Sequence, residues 1–113
     1  MDLMHEDSRQ GHRSRLIERF ERGGISALHD YELLELLLGF IILRRDTKPA
    51  AKALLKKFGT ISAVLSAPAS EIEAVEGVGH RASVLLAFFR ETIAHCLRER
   101  YDQKPVIKHR DDV

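Results

Sequence analysis

The stretch AVEGVGHRAS, Ala74 to Ser83, places two glycines around one valine in a sequence otherwise patterned for helix. Downstream, Ala82, Leu85, Phe89, Ile93 and Leu97 recur at helical spacing and predict one long helix from about His80 to Tyr101 with those residues on its inner face. Upstream, Pro68 or Ser70 starts a short element that ends at the break, and Ser70 and Glu73 stand at capping-box spacing. A short helix, a Gly-Val-Gly turn and a longer helix make one helix-hairpin-helix unit. Within it Ile72 and Val75 are expected to pack against Leu85 and Leu86, with Val78 pointing back into the core.

Gly77 and Gly79 reach dihedrals closed to other residues, and without side chains they leave the backbone N–H groups beside them open. Those groups begin the long helix, where unsatisfied donors and the positive end of the helix dipole favour an anion. A phosphate oxygen is the natural guest. Arg81, and His80 when protonated, would add charge-assisted hydrogen bonds beside it. The plainer alternative is a glycine-terminated helix and a tight connection, with both side chains simply solvated.

Working outward, TKPAAKALLKKFG predicts a helix capped by Asp46 or Thr47 and closed by Gly59, with Ala51, Leu54, Leu55 and Phe58 inward and Lys48, Lys52 and Lys56 along one outer edge. TISAVLSA suits a short linking segment capped by Thr60. Before these, YELLELLLGF is apolar around most of its circumference except at Glu32 and Glu35, so it must be surrounded. From His12 to Glu21, Leu16, Ile17 and Phe20 share one helical side and Arg15, Arg19 and Arg22 the other. Residues 1–11 read as a flexible N-terminus, 12–101 as one domain and 102–113 as a proline-broken linker. The fold class is all-α, a compact domain of five to six helices.

A chain of 113 residues with 44% hydrophobic and 31% charged residues supports one core. The net charge of +1 excludes a globally basic nucleic-acid binder, so attraction to phosphate must come from local clusters, of which Arg44, Arg45 and Lys48 form one. A lone cysteine, Cys96, and the lack of a secretory pattern point to the cytoplasm. Cys96 reads as a buried small residue rather than a nucleophile. The longest apolar run, Leu33 to Leu43, contains Glu35 and is about half the ~20 residues a membrane span needs.

GHRSRLIERF, ALHDYELLELLLGFIILRRDTKPAAKALLKKFG and VEGVGHRASVLLAF together resemble the N-terminal region of RadC-family proteins, from about Gly11 to Arg100. The resemblance implies a tandem helix-hairpin-helix fold like the DNA-binding domain 2 of RuvA-like proteins, with units across residues 30–58 and 69–100. It also implies a following JAB/MPN-type domain, whose metal ligands resemble a Glu, a His-x-His and a downstream Asp, toward which residues 102–113 would lead. None of His5, His12, His29, His80, His95 and His109 forms such a set, so no metal site, no cofactor and no enzyme are expected within this chain. Two positions depart from the pattern. His29 stands where a capping serine is commoner, which should remove a capping box with Glu32, and Glu76 replaces a frequent proline and sets a negative charge beside the turn.

The expectation is a non-sequence-specific DNA-binding module of a RadC-like DNA repair protein. Its contacts run through Gly77, Val78, Gly79, His80 and Arg81, with help from Arg44, Arg45 and Lys48. With two or three phosphate contacts, binding should be weak and salt-sensitive. No base-reading element is evident, because the Phe and Tyr residues pattern as core. The alternative is a protein-interaction or structural adaptor that positions a C-terminal metallopeptidase-like domain. A glycosylase-like enzyme is disfavoured, since the chain is too small for a base-accepting pocket between domains.

Overall fold

The structure, a computed structural model, describes the backbone at residues 2–43 and 45–108 and the side chains at 11–43 and 45–102. Helices α1 (Asp2–Gly23), α2 (Asp30–Gly39), α3 (Lys48–Phe58), α4 (Ile61–Ser66), α5 (Ala69–Glu73) and α6 (Gly79–Lys108) follow one another, with a 3-10 turn at Ile25–Ala27. No strand occurs among the described residues. The protein is all-helical. Helix α1 runs from Asp2 rather than from about His12, and α6 continues to Lys108 rather than closing near Tyr101.

The core begins where the sequence is most apolar. Leu34 and Leu38 of α2 meet Ala50, Ala51 and Leu54 of α3, and the cluster continues through Val64, Ala67, Ile72, Val75 and Val78 to Ala82 and Leu86 of α6. A single core therefore joins the α2/α3 pair to the α5/α6 pair. Local signals fix the helix starts between them. Thr60 Oγ1 accepts from the Ala63 amide at 3.0 Å and so caps α4. At α3 the two candidate caps divide the work: Asp46 Oδ1 accepts from the Lys48 amide at 3.0 Å, while the buried Thr47 hydroxyl donates to the Glu35 carbonyl at 2.7 Å.

Helix α1 is outside that cluster and is held to α2 largely by polar contacts. Leu16 is its one buried apolar side chain among the described residues, while Ile17 and Phe20 stay largely exposed. Arg13 donates to the carbonyls of Ile42 at 3.0 Å and Arg45 at 2.9 Å, tying α1 to the segment after α2. Arg19 grips both oxygens of Glu32 at 2.9 and 2.8 Å and also donates to the Ala27 carbonyl at 2.7 Å. Arg19 is thus not part of a free basic row. Helix α2 is surrounded as its pattern requires, and Glu32 and Glu35 are buried with the leucines, where α1 brings Arg19 to the first and the His12 ring to the second.

The expected loss of a capping box at His29 is corrected in part. His29 is the N-cap of α2, and its amide donates to Glu32 Oε1 at 3.0 Å, so the carboxylate half of the box forms without a serine. The inner face of α6 also differs from the periodic reading. Ala82, Ser83 and Leu86 are its buried residues, whereas Phe89, Ile93 and Leu97 are exposed. The helix is rotated by about one residue because Ser83 can be buried: its hydroxyl donates to Glu73 Oε2 and lies 2.8 Å from the His80 carbonyl. Beyond Arg90, which donates to the Leu65 carbonyl at 2.7 Å, residues 91–102 are mostly exposed. Cys96 is among them, contrary to the expectation of burial.

Candidate nucleic-acid interface

The turn between α5 and α6 is built from both sides. Ile72, Val75 and Val78 sit in the core, and the Val78 amide donates to the Val75 carbonyl at 3.2 Å, which closes the turn. Gly77 and Gly79 flank it with φ of 88° and 77°, in the left-handed region where a side chain brings strain. A Cβ at Gly79 would meet nothing within 4 Å, and one at Gly77 would touch only the Ala50 methyl at 3.5 Å. Gly79 is exposed and Gly77 half-buried against α3.

Among the described residues, the amides of Gly77, Gly79, His80 and Arg81 have no hydrogen-bond acceptor within the protein. They lie at the N-terminal end of the longest helix, where the dipole adds partial positive charge. Val78 stands apart from these neighbours: its amide is engaged and its side chain buried, so it anchors the turn and cannot itself donate outward.

His80 and Arg81 project from the first turn of α6, both exposed. His80 Nδ1 is 2.7 Å from Glu73 Oε2, and the same oxygen accepts from the Ser83 hydroxyl at 2.9 Å. These two hydrogen bonds, His80 first, hold the Glu73 carboxyl below the usual carboxylate range. Glu73 therefore reaches forward to α6 instead of back to Ser70, and it directs the His80 ring. Arg81 has no ion-pair partner among the described residues.

The segment after α2 runs past this turn. Arg45, Asp46, Thr47, Pro49 and Ala50 share a cleft of about 370 Å³ with Glu76 and Gly77. Arg45 is thereby brought to the turn, along with two carboxylates. Lys48 is directed elsewhere: its Nζ lies 5.9 Å from the centre of the Tyr31 ring, which Lys52 also faces at 4.8 Å. Arg44 lies outside the described residues. On the other side, Ile41 reaches a second groove with His80, Arg81, Val84, Leu85 and Phe88. The sequence pairs Glu73 with Ser70 at capping-box spacing, whereas its partners in the fold, His80 and Ser83, lie across the turn.

Among the described residues no group of three or more His, Cys, Asp or Glu is placed to hold a metal ion, and no helix is long and apolar enough to cross a membrane.

Comparison with known proteins adds ancestry to this geometry. The chain is 44% identical over 100 residues to UPF0758 protein SPO0054 of Ruegeria pomeroyi, covering 88% of this chain and 45% of that protein. It is 36% identical over 104 residues to UPF0758 protein FN0909 of Fusobacterium nucleatum, covering 92% of this chain and again 45% of the relative. Its homologues are UPF0758 proteins. This is the RadC-like family to which the sequence resemblance pointed. The chain spans about half the length of the UPF0758 relatives it matches. No family model and no solved structure matches it.

Proposed function

We propose that this chain is a non-sequence-specific DNA-binding module of a RadC-like protein, in which α2/α3 and α5/α6 act as the two units of a tandem helix-hairpin-helix. The observation that carries this reading is the set of four amides at Gly77, Gly79, His80 and Arg81 that find no acceptor among the described residues, at a helix tip. Such amides bind a phosphate oxygen through the backbone, which recognises the charge and not the base. Arg81 supplies the adjacent full charge and Arg45 a second. Lys48, turned toward Tyr31, would contribute only by leaving that ring.

Fluorescence anisotropy with labelled DNA over a range of salt tests the reading. With two or three phosphate contacts, log K should fall against log salt with a slope of roughly −2 to −3. Arg81→Glu should abolish binding while leaving the circular dichroism spectrum unchanged. Absence of binding at low salt, or indifference to Arg81→Glu, contradicts the proposal.

A second reading rests on a separate observation. Phe89, Ile93 and Leu97 form an exposed apolar stripe along α6, and the UPF0758 relatives are about twice as long as the region matched. In that reading the chain is an adaptor whose α6 packs against another domain or protein.

A further inference from the structure

The groove beside the α6 tip is chemically unlike the tip itself. It is lined by Ile41, Val84, Leu85 and Phe88, with His80 and Arg81 at its rim, and encloses about 300 Å³. Phe88 is 70% exposed and Val84 51%, so two large apolar side chains face solvent one and two helical turns from the open amides. The helical spacing of residues 80, 81, 84, 85 and 88 puts them on one side of α6, away from the buried Ala82, Ser83 and Leu86. No acidic side chain lines the groove, whereas the cleft on the Gly77 side holds both Asp46 and Glu76.

We infer that this groove takes an unpaired nucleobase, stacked on the Phe88 ring, from a strand whose phosphate is held at Gly77–Arg81. This deepens the DNA-binding reading and rests on it. An apolar, aromatic surface with a cationic rim complements a nucleotide, whose base has an uncharged π-face and whose backbone is anionic. In duplex DNA the base faces are buried by stacking, so only a single strand, flap or fork offers one without an unstacking cost. A groove of this volume lies at the small end of ligand sites, fitting one planar group rather than an amphipathic helix. The exposed Phe88 also corrects the expectation that every Phe and Tyr belongs to the core.

The test compares the whole chain, Phe88→Ala, Phe88→Leu and Arg81→Glu against three labelled DNAs: a blunt duplex, a single strand of thymidines, and a duplex with a single-stranded flap. The wild-type protein should bind the single strand and flap more tightly than the blunt duplex. Phe88→Ala should weaken binding to those two by at least about fivefold while leaving the duplex unchanged, with Phe88→Leu close behind because it keeps apolar volume without a ring. A 2-aminopurine in the strand should lose fluorescence on binding the wild type and not Phe88→Ala. Arg81→Glu should weaken all three DNAs.

Equal loss on every DNA, or no loss, for Phe88→Ala overturns the base site while leaving phosphate binding standing. Failure of the wild type to bind any of the three removes both readings. Circular dichroism melts of the Phe88 variants should overlay that of the wild type, since this side chain is outside the core.

Discussion

Glu32→Gln should destabilise the protein by roughly 1.5 kcal/mol at pH 7, and the loss should vanish in acid. The Arg19 guanidinium, hydrogen-bonded to both carboxylate oxygens, holds the Glu32 carboxyl at about 2, below its ordinary 4.5, and the His29 amide assists. At 1.36 kcal/mol per unit, that difference sets an upper bound of about 3 to 4 kcal/mol on what ionised Glu32 contributes to folding. Arg19 is 43% exposed, so water screens the pair and about half of the bound is the better expectation. Because the folded value is depressed, the contribution is complete above the unfolded value and is lost as pH falls through the folded one, between about pH 5 and 2. Glutamine keeps the shape and one acceptor for the His29 amide, and it removes the charge together with the acceptor that Arg19 Nη1 uses at Oε2. Urea unfolding followed by circular dichroism at a series of pH values is the assay, with the midpoint lowered by roughly 1 M at pH 7. A variant as stable as the wild type at pH 7, or a deficit that persists at pH 2, would refute the claim that this ion pair fastens α1 to α2.

Glu35, one turn along the same helix, should behave in the opposite sense: burial pushes its carboxyl up, His12 only partly offsets this, and Oε1 has no partner among the described residues. A raised folded value contributes stability at low pH that is lost as pH rises, so Glu35→Gln should raise the melting temperature at pH 7 by a few degrees, about 1 kcal/mol, and by less at pH 4, in thermal melts at the two pH values. Gly79→Ala should cost about 1 kcal/mol from backbone strain at a φ of 77°, yet fold, because the added methyl meets nothing. That methyl is added next to the Gly79 and His80 amides, so anisotropy should show DNA affinity falling several-fold, and unchanged affinity would contradict the use of that face.

Much of this architecture was legible in the chain because its signals are local. Thr60, Asp46 and the glycines around Val78 act within a turn of themselves, and the apolar residues of α2 and α3 appear in the core where their spacing puts them. What was not legible depends on partners distant in sequence. Arg19 reads as one of a basic row with Arg15 and Arg22, and only the packing of α2 gives it Glu32; that α2 must be surrounded is legible, but not that α1 brings His12 to Glu35. The phase of α6 differs from its apolar periodicity because a serine occupies the buried face, where Glu73 and the His80 carbonyl satisfy its hydroxyl. Shifting that phase exposes Phe88 and Phe89 and changes the character of the candidate site, which acquires an apolar wall beside its cationic tip.

The proposed phosphate site consists of four backbone amides, and amide nuclear magnetic resonance observes them one by one. Titrating DNA into isotope-labelled protein should move the resonances of Gly77, Gly79, His80 and Arg81 together, with Val78 moving least within the turn because its amide already donates to Val75. Shifts confined to other regions, or a spectrum that DNA leaves unaltered, would contradict the account.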